Sequence, residues 1–247
     1  MTTPQNIRIA EANIQNLTSL WATVSSNAGS YHPGSAFDYA LIPDSDWPNR
    51  IWHKGIHTPG DVENISRIIR SVPQKLTFPC WDIYGGIPKA LLAQHGFIRT
   101  FEQVGMSMPL EQELPQLHRL DIRPVSDAYE ARSWASLYPK AFGYRIADHI
   151  LRAAPEHTDF YIAYYQHKPV GTAILHYTGS IAGIHGVGII PEMRRNGFAG
   201  EIMNSVLNIA RSKGAKTATL QASSMGKGLY VKMGFATQFI MENYQLT

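Results

Sequence analysis

A loop rich in arginine and glycine has the residue types best suited to binding a charged group. It reads PEMRRNGFAG from Pro191 to Gly200, between a run typical of a strand and a run with helical spacing of apolar residues. A loop that leaves a strand and enters a helix exposes backbone N–H groups without a helical partner. Together with the helix dipole, these groups attract an anion. Gly197 and Gly200 have no Cβ, so the backbone can approach that anion closely.

The two arginines of this loop, Arg194 and Arg195, carry forked N–H donors that suit phosphate. The loop therefore predicts a phosphate-bearing ligand at the N-terminus of a helix over residues 198–212. A solvated loop with an ordinary helix cap is the alternative interpretation. Other phosphate-binding patterns fit less well. The GKG at Gly226 lacks the earlier glycine and the following Ser/Thr of a Walker loop, and no G-x-G-x-x-G follows HGVGII.

The elements that must position this loop are predicted from residues 118–247. LDIRPV reads as a strand, and SDAYEARSWASLY as a helix that ends at Pro139 and Gly143. The aromatic and β-branched run from Asp159 to Ile190 reads as three strands. After the loop come a helix closed by Gly214, the strand KTATLQA, a short helix in SSMGKGLYVKM, and one bent strand or two in GFATQFIMENYQL. This order predicts an α/β fold with a mixed α+β sheet.

The first half of the chain, residues 1–112, ends like the second. KALLAQHGF and KGLYVKMGF share four residues at a constant offset, since Phe97 and Phe235 are 138 positions apart. The starts NIRIAEA and LDIRPVS also correspond, with Arg8 matched to Arg123. A polar stretch with two prolines, residues 109–120, joins the halves as a linker would. We interpret this as a degenerate internal duplication in which the first half lacks the arginine–glycine loop.

The bulk composition excludes several classes of protein. The 247 residues are 44% hydrophobic and 17% charged, as in an ordinary globular protein. A net charge of +3 does not favour a nucleic-acid partner. The sequence contains no run of about 18 apolar residues, so we expect no membrane span. Cys80 is the only cysteine, which fits a reducing compartment. The N-terminal segment lacks the pattern of a signal peptide, so we expect a cytoplasmic protein.

Two segments together resemble a known family. VGIIPEMRRNGFAGEIM is similar to the cofactor-binding segment of the GNAT acyltransferase superfamily, which is a strand, a proline and Gln/Arg-x-x-Gly-x-Gly/Ala before a helix; these positions hold Arg194, Gly197 and Ala199. SSMGKGLYVKMGF resembles its second signature, a short helix with Leu-Tyr ahead of Gly-Phe. The resemblance covers roughly residues 118–247. It implies a GNAT-like fold there, in tandem with a degenerate, non-catalytic GNAT-like copy over residues 1–112.

The resemblance implies acetyl-CoA, or another acyl-CoA, as co-substrate, and no metal. The pantetheine would run beside Val187, Gly188 and Ile189, where the family's strand splays from the next one, here KTATLQA. Ser223 stands where the family often has asparagine, and it would hydrogen-bond the cofactor. Gly186 and Gly188 suit close approach of a ligand, with a bulge or tight helix packing as the alternative. The pyrophosphate would lie on the loop, whose residues are Arg194, Arg195, Asn196, Gly197, Phe198, Ala199 and Gly200.

The family's chemistry is direct transfer from a thioester to an amine, and it implies two catalytic residues. Tyr230, of the Leu-Tyr pair, corresponds to the acid that protonates the leaving thiolate; the alternative is that it only packs beneath the cofactor. His185 would share a strand face with Val187 and Ile189 and is our candidate base, although a histidine on a strand is often structural. Other candidate bases are Glu192 and His176.

The acceptor implied by the resemblance is a primary amine on a small molecule or a peptide. LYPKAFGY lies at the family's substrate-facing loop, so Tyr138, Phe142 and Tyr144 are candidates for the acceptor pocket, with loop packing as the alternative. A non-catalytic acyl-CoA sensor or scaffold is the alternative function. A metal site at His53 and His57 is disfavoured by the glycine between them. Trp47, Trp52 and Trp81 are expected in the core rather than in a ligand cage.

Overall fold

The computed structural model describes residues 4–55, 58–153 and 155–247. The elements before residue 112 are α1 (Pro4–Ala28), β1 (Ser30–His32), β2 (Phe37–Leu41), β3 (Arg50–His53), α2 (Pro59–Ser71), β4 (Phe78–Trp81), α3 (Lys89–Gln94) and β5 (Phe97–Pro109). Those that follow are β6 (Asp121–Pro124), α4 (Ala128–Phe142), α5 (Asp148–Arg152), β7 (Thr158–Tyr165), β8 (Lys168–Thr178), β9 (Ile181–Ile189), α6 (Phe198–Ser212), β10 (Thr217–Ala222), α7 (Lys227–Lys232) and β11 (Ala236–Leu246).

Eight strands form one mixed sheet in the order β4-β11-β5-β10-β9-β8-β7-β6, and β1-β2-β3 form a smaller antiparallel sheet. Within the large sheet β9 and β10 are parallel, and the other neighbours are antiparallel. A parallel bridge between Arg50 of β3 and Thr77, just before β4, joins the smaller sheet to the large one. The predicted fold class, α/β with a mixed sheet, is confirmed.

The two halves exchange their last strands. β5, which ends the first half, pairs with β10 of the second half. β11, which ends the second half, pairs with β4 of the first half. β5 and β11 also pair with each other in the middle. Each half therefore completes its part of the sheet with a strand from the other, while the boundaries 1–112 and 118–247 stay a prediction.

The matched ends of the halves have the same local structure. α3 and α7 begin at Lys89 and Lys227, and each is followed by a glycine with left-handed backbone, Gly96 at φ 85° and Gly234 at φ 99°. The matched starts do not agree. Arg8 lies in the helix α1, whereas Arg123 lies in the strand β6, so the alignment of NIRIAEA with LDIRPVS is wrong. The two identical letters, Ile-Arg, carried no periodicity that could separate a helix from a strand.

The helices cover both faces of the large sheet. Along β7, Tyr161 and Ala163 belong to a core with α6, whereas Phe160 and Ile162 belong to a core with α1, α4 and α5. Because successive side chains of a strand point to opposite faces, these two cores lie on opposite sides of the sheet. α6 buries the apolar positions that its periodicity predicts, Ile202, Met203, Val206, Leu207 and Ala210.

Two predicted boundaries need comment. Helix α4 does not stop at Pro139 but continues to Phe142, and it ends at Gly143, whose φ of 77° is left-handed. After Pro109, which ends β5, the linker contains no helix or strand. It is fixed to α6, since Asn208 Nδ2 donates to Leu114 O (2.9 Å) and Asn208 Oδ1 accepts from Leu114 N (2.8 Å). Among the described residues, no helix has both the length and the apolar content needed to cross a bilayer.

Candidate active site

A β-bulge in β9 shapes the site. Thr172 lies opposite Gly188 and Ile174 lies opposite His185, so β9 has one residue more than β8 in this interval. Gly186 takes the left-handed φ of 56° that the extra residue requires, and Thr172 Oγ1 donates to its carbonyl oxygen (2.9 Å). Of the two interpretations of Gly186, the bulge is therefore the one that the structure supports.

Beyond the bulge, β9 and β10 separate. Their parallel register runs only from Ile181 opposite Thr217 to Gly183 opposite Thr219. From residue 184 onwards, the edge of β9 that faces β10 has no strand partner in the described chain, so its backbone N–H and C=O groups are free to pair with an extended ligand. This is the gap that the family resemblance implies.

The N-terminus of α6 is open to solvent. Its N-cap residue, Gly197, has a left-handed φ of 77° and no side chain caps the helix. Arg195 is also left-handed, at φ 64°, and both residues are exposed, while Phe198 is buried beneath them. Uncapped N–H groups at the positive end of a helix dipole form a ready anion site.

The two arginines of the loop have different positions. Arg194 Nε donates to Ile189 O (3.2 Å) and Arg194 Nη2 donates to Ala141 O (3.0 Å), so this guanidinium fastens the loop to β9 and α4. Asn196 Nδ2 similarly lies against the carbonyls of Met193 and Arg194 (both 3.2 Å). Arg195 makes no hydrogen bond or ion pair with another described residue. It is thus the cation of the loop that remains available to a ligand.

A buried carboxylate that the sequence reasoning missed fixes the other side of the loop. Glu201 is 4% exposed. Its Oε1 accepts from Arg119 N (2.6 Å) and Leu120 N (2.8 Å), and its Oε2 accepts from Arg119 Nε (2.9 Å). The Arg119 guanidinium lies 5.0 Å from the centre of the Phe198 ring. The sequence did contain a signal for this carboxylate, because Glu201 lies on the apolar face of a predicted helix. A carboxylate there is buried, and it is buried only when it has partners.

Seven of the sixteen predicted site residues meet in one cavity of about 780 Å³, which lies where β9 and β10 separate. Both predicted catalytic residues line it, and so do two cofactor positions and the three acceptor positions. These are His185, Tyr230, Val187, Ser223, Tyr138, Phe142 and Tyr144. The cavity therefore brings together residues that are up to 92 positions apart, from Tyr138 to Tyr230.

The other predicted cofactor residues lie outside the lining. A Cβ on Gly188 would come within 2.4 Å of Phe142 Cε2, so this glycine allows α4 to pack closely against β9. Ile189 is buried in the core beneath α6, together with Val187. His185 faces α1 instead, so the expectation that it shares a face with Val187 and Ile189 is wrong. The bulge at Gly186 reverses the alternation of side chains that this expectation assumed.

Tyr230 is a neutral phenol at the cavity wall. Burial raises its pKa to about 12, so the hydroxyl remains protonated at neutral pH. Its ring meets Phe235 edge to face with centroids 5.9 Å apart, which fixes its orientation. A protonated hydroxyl in a ligand cavity can donate a proton to a leaving group.

His185 is a neutral imidazole. Its Nε2 lies 3.4 Å from Asn16 Oδ1 of α1. Burial, and secondarily the neighbouring His176, lowers its pKa to about 3. At neutral pH the ring therefore carries no charge and keeps one nitrogen able to accept a proton.

The two other candidate bases lie elsewhere. His176 is 1% exposed and sits between Thr158 Oγ1 (2.8 Å from Nδ1) and Ser19 Oγ (3.0 Å from Nε2), where burial lowers its pKa to about 4. Glu192 is exposed in the short 3-10 turn Pro191–Met193. Neither lines the cavity, so among the three candidates the geometry favours His185.

The acceptor side of the cavity is aromatic. Tyr138 stacks on Trp134 (4.7 Å between ring centroids) and on Phe142 (4.3 Å), and its hydroxyl is 2.7 Å from that of Tyr144. Burial raises the pKa of both tyrosines. Packing and cavity lining are thus combined in the same side chains. The tryptophans predicted in the core are there: Trp47, Trp52 and Trp81 are buried.

The first half also contributes to the cavity, through residues that the sequence did not single out. Trp21, Arg50 and Glu102 line it from α1, β3 and β5. These residues are separated from Tyr230 by more than half of the chain, so no local motif connects them.

The disfavoured metal site at His53 and His57 is only partly described. His57 lies outside the described residues, and His53 is bonded to Asp61 (3.2 Å). Within the described ranges, no group of three or more His, Cys, Asp or Glu side chains is arranged to hold a metal.

Comparisons with known proteins agree with this geometry. Residues 125–235 match the model of the acetyltransferase (GNAT) family. A Bacillus subtilis (strain 168) protein named "Putative acetyltransferase" is 28% identical over 76 residues, which cover 31% of this chain and 52% of that one. The match therefore spans about half the length of this relative.

Solved structures show the same fold over the whole chain. A GCN5-related N-acetyltransferase from Kribbella flavida has a TM-score of 0.71 at 16% identity, covering 97% of this chain and 95% of that one. Another from Sphaerobacter thermophilus has a TM-score of 0.61 at 17% identity, covering 85% and 76%. The fold is that of the GCN5-related N-acetyltransferases. The match to the GNAT family of acetyltransferases covers residues 125–235, a little under half of the chain.

Proposed function

We propose that this protein transfers an acyl group, most simply acetyl, from a coenzyme A thioester to a primary amine by direct attack. One observation carries the proposal: the cavity that opens between β9 and β10 is lined by both Tyr230 and His185. The gap holds a free strand edge on one side and a proton donor on the other. A site that only binds an acyl-CoA does not need that donor.

The residues present fit the cofactor. The uncapped N-terminus of α6, from Arg195 to Gly200, would hold the pyrophosphate, with Arg195 as an additional cation. The free edge of β9 would pair with the amides of the pantetheine. When bound, coenzyme A supplies the activated acyl thioester. Arg194 would act through the shape of the loop, because its guanidinium is already bonded to Ile189 and Ala141.

Tyr230 would act as the general acid. The transfer forms a bond between the amine nitrogen and the acyl carbon and breaks the bond between that carbon and sulfur. The Tyr230 hydroxyl, kept protonated by burial, donates its proton to the departing sulfur. N–H groups of the open edge of β9 would hydrogen-bond the thioester oxygen as it gains charge.

His185 would accept the proton that the nitrogen loses. Its lowered pKa makes it a weak base toward a free ammonium group, so the amine must arrive neutral. Once the nitrogen is bonded to the acyl carbon, it holds its protons far less tightly than a free ammonium group does. A weak base then suffices to remove one of them. Asn16, on α1, orients the imidazole through the 3.4 Å contact to Nε2.

The division of the chain follows from the same site. We propose that residues 118–247 form the catalytic domain and that residues 1–112 are a degenerate, non-catalytic GNAT-like copy. The equivalent structure of α3 and α7 supports the duplication. The acceptor would be a small-molecule or peptide amine. A cytoplasmic location fits a chain whose only cysteine, Cys80, is a buried thiol.

Thermal unfolding with acetyl-CoA, CoA and ATP at equal concentration tests the cofactor. Ligand at 100 times its Kd stabilises a protein by about 2.7 kcal/mol, so acetyl-CoA and CoA should raise the Tm and ATP should not. Thiol release with a panel of amines then separates an enzyme from an acyl-CoA sensor. Stabilisation by ATP alone, or by none of the three, would exclude the proposed function. Stabilisation by CoA without turnover of any amine would favour the sensor.

A further inference from the structure

Arg50, on β3 of the first half, is a buried guanidinium without a counterion. Its Nε and Nη1 atoms are buried and have no hydrogen-bond partner among the described residues. No carboxylate in the described part of the chain forms an ion pair with it. An uncompensated charge of this kind is costly to bury, so its retention calls for a partner that the protein itself does not supply.

Two acidic residues near Arg50 are bonded to other groups. Asp46 lines the adjoining cavity, and its Oδ2 accepts from Arg145 N (2.7 Å). Glu102 lines the same cavity as Arg50, but it pairs with Arg99 (3.3 Å). The contact that Arg50 does make is with Trp21, whose ring centre lies 5.0 Å from its Cζ atom. A cation–π contact offsets only part of the cost of burying a charge.

Arg50 faces the cavity that holds Tyr230 and His185. The tyrosine pair Tyr138 and Tyr144 lies close enough to influence its titration, and the same two residues line the cavity. The guanidinium is therefore set in the aromatic acceptor side. Arg50 lines the same cavity as Val187 of β9 and Trp21 of α1, so a ligand bound there shares that cavity with its guanidinium.

We propose that the amine acceptor also carries a carboxylate, as an amino acid does, and that this carboxylate pairs with Arg50. The inference rests on the proposed function and specifies its substrate class. A single guanidinium among aromatic rings matches one negative charge, and Arg is the side chain best suited to a planar carboxylate. A phosphate dianion would leave one charge unmatched.

The test compares matched acceptors with the full chain and acetyl-CoA. The panel contains the twenty protein amino acids, their α-amides and the corresponding decarboxylated amines, with O-phosphoethanolamine against ethanolamine as the phosphate arm. Thiol release gives kcat/KM for each. We expect the best acceptor to be a carboxylate, and to exceed its own amide by about 30-fold or more, as for a desolvated charge pair.

Variants of Arg50 assign this preference to the side chain. Arg50→Met keeps the packing on Trp21 and should remove the advantage of the carboxylate while changing kcat/KM for the amide by less than about threefold. Arg50→Lys should restore part of the advantage because it retains the charge. Arg67→Gln, at an exposed arginine of α2, is the matched control and should change neither value.

Several results would overturn the inference. A best acceptor that is neutral, or the phosphate arm as the preferred one, would assign Arg50 another role. An equal loss for carboxylate and amide in Arg50→Met would make it a structural residue. If no amine is turned over, binding is tested instead, by the Tm shift that free amino acids cause in the presence of CoA. If no such shift depends on Arg50, the carboxylate site is excluded. Tm shifts with CoA alone show separately whether the cofactor part of the proposed function stands.

Discussion

The helices α2 and α6 each follow a run of three antiparallel strands, β1-β2-β3 and β7-β8-β9, but their N-termini are closed and open respectively. At α2, the third helical residue is Asp61, whose carboxylate accepts from Thr58 N and Thr58 Oγ1 (both 2.7 Å). At α6, the same helical position is Gly200, and no side chain caps the helix. A carboxylate already occupies the positive end of one helix dipole, whereas the other is free for an external anion.

The short helices α3 and α7 also differ, at one matched position that carries a polar group only in α7. Leu92 and Tyr230 are equivalent by sequence offset and by position in the helix. Leu92 is 1% exposed and belongs to the core, whereas Tyr230 lines the cavity. One scaffold therefore serves two purposes. Under the proposed duplication, a few side chains decide whether a copy can bind an anion and donate a proton, and residues of the other copy line the same cavity.

The largest expected effect comes from removing the proton donor that only the second half has. Tyr230→Phe should lower kcat for amine acylation by about 10²–10⁴-fold, the usual contribution of a general acid, and leave the Kd for CoA unchanged. Steady-state kinetics and calorimetry measure the two quantities. Tyr177→Phe is the matched control, because the Tyr177 hydroxyl is buried without a partner in the described chain and lies outside the cavity. An unaltered kcat in Tyr230→Phe would show that both copies use this position only for packing.

A smaller effect is expected from placing a carboxylate at the N-terminus of α6, as Asp61 does at α2. A Cβ at Gly200 meets nothing nearer than Leu229 Cδ1 at 3.7 Å, so the fold should accept a side chain there. Gly200→Asp should raise the Kd for CoA by about 10–100-fold through charge repulsion, without lowering the Tm of the free protein. Gly200→Asn has the same shape without the charge. If both variants bind CoA equally, the helix terminus is not the pyrophosphate site.

The smallest effect is expected from opening α2. Asp61→Asn should reduce the free energy of unfolding by about 1 kcal/mol through loss of the cap, and should not change CoA affinity. Although burial opposes it, hydrogen bonds from Thr58 and the charge of His53 lower the pKa of Asp61. Its stabilisation is therefore complete at neutral pH and is lost as the pH falls through that lowered pKa.

Denaturant unfolding of both proteins from pH 7 to pH 3 measures this difference. The gap in stability between Asp61→Asn and the parent protein should narrow toward acid, because the parent loses its carboxylate charge. A gap that stays constant with pH would mean that the side-chain shape, and not the charge, caps α2. A change in CoA affinity would mean that the first half takes part in cofactor binding.

Local patterns were sufficient for the elements of the second half. The periodicity of Ile202, Val206 and Leu207 predicts α6, and Gly214, at φ 90°, ends it as expected. The chemistry of the arginine–glycine loop predicts an open helix terminus, which the structure contains. These features depend on residues that are neighbours in the chain, so the sequence displays them directly.

Features that depend on distant residues could not be predicted. Nothing near β5 indicates that it inserts between β10 and β11, because strand partners are chosen by burial across the whole sheet. The bulge at Gly186 reverses the predicted face of His185, and one glycine in a strand is consistent with several structures. Arg50 reaches the cavity from the first half, and no local motif around it indicates that position.

The exchanged strands also set the order of events during synthesis. β4 and β5 are translated well before β11, with which both pair. The part of the sheet that contains β4 therefore lacks its neighbouring strand while the second half is being translated. A multidomain chain commonly folds its N-terminal unit first, whereas here the first half cannot complete its part of the sheet until β11 has been translated.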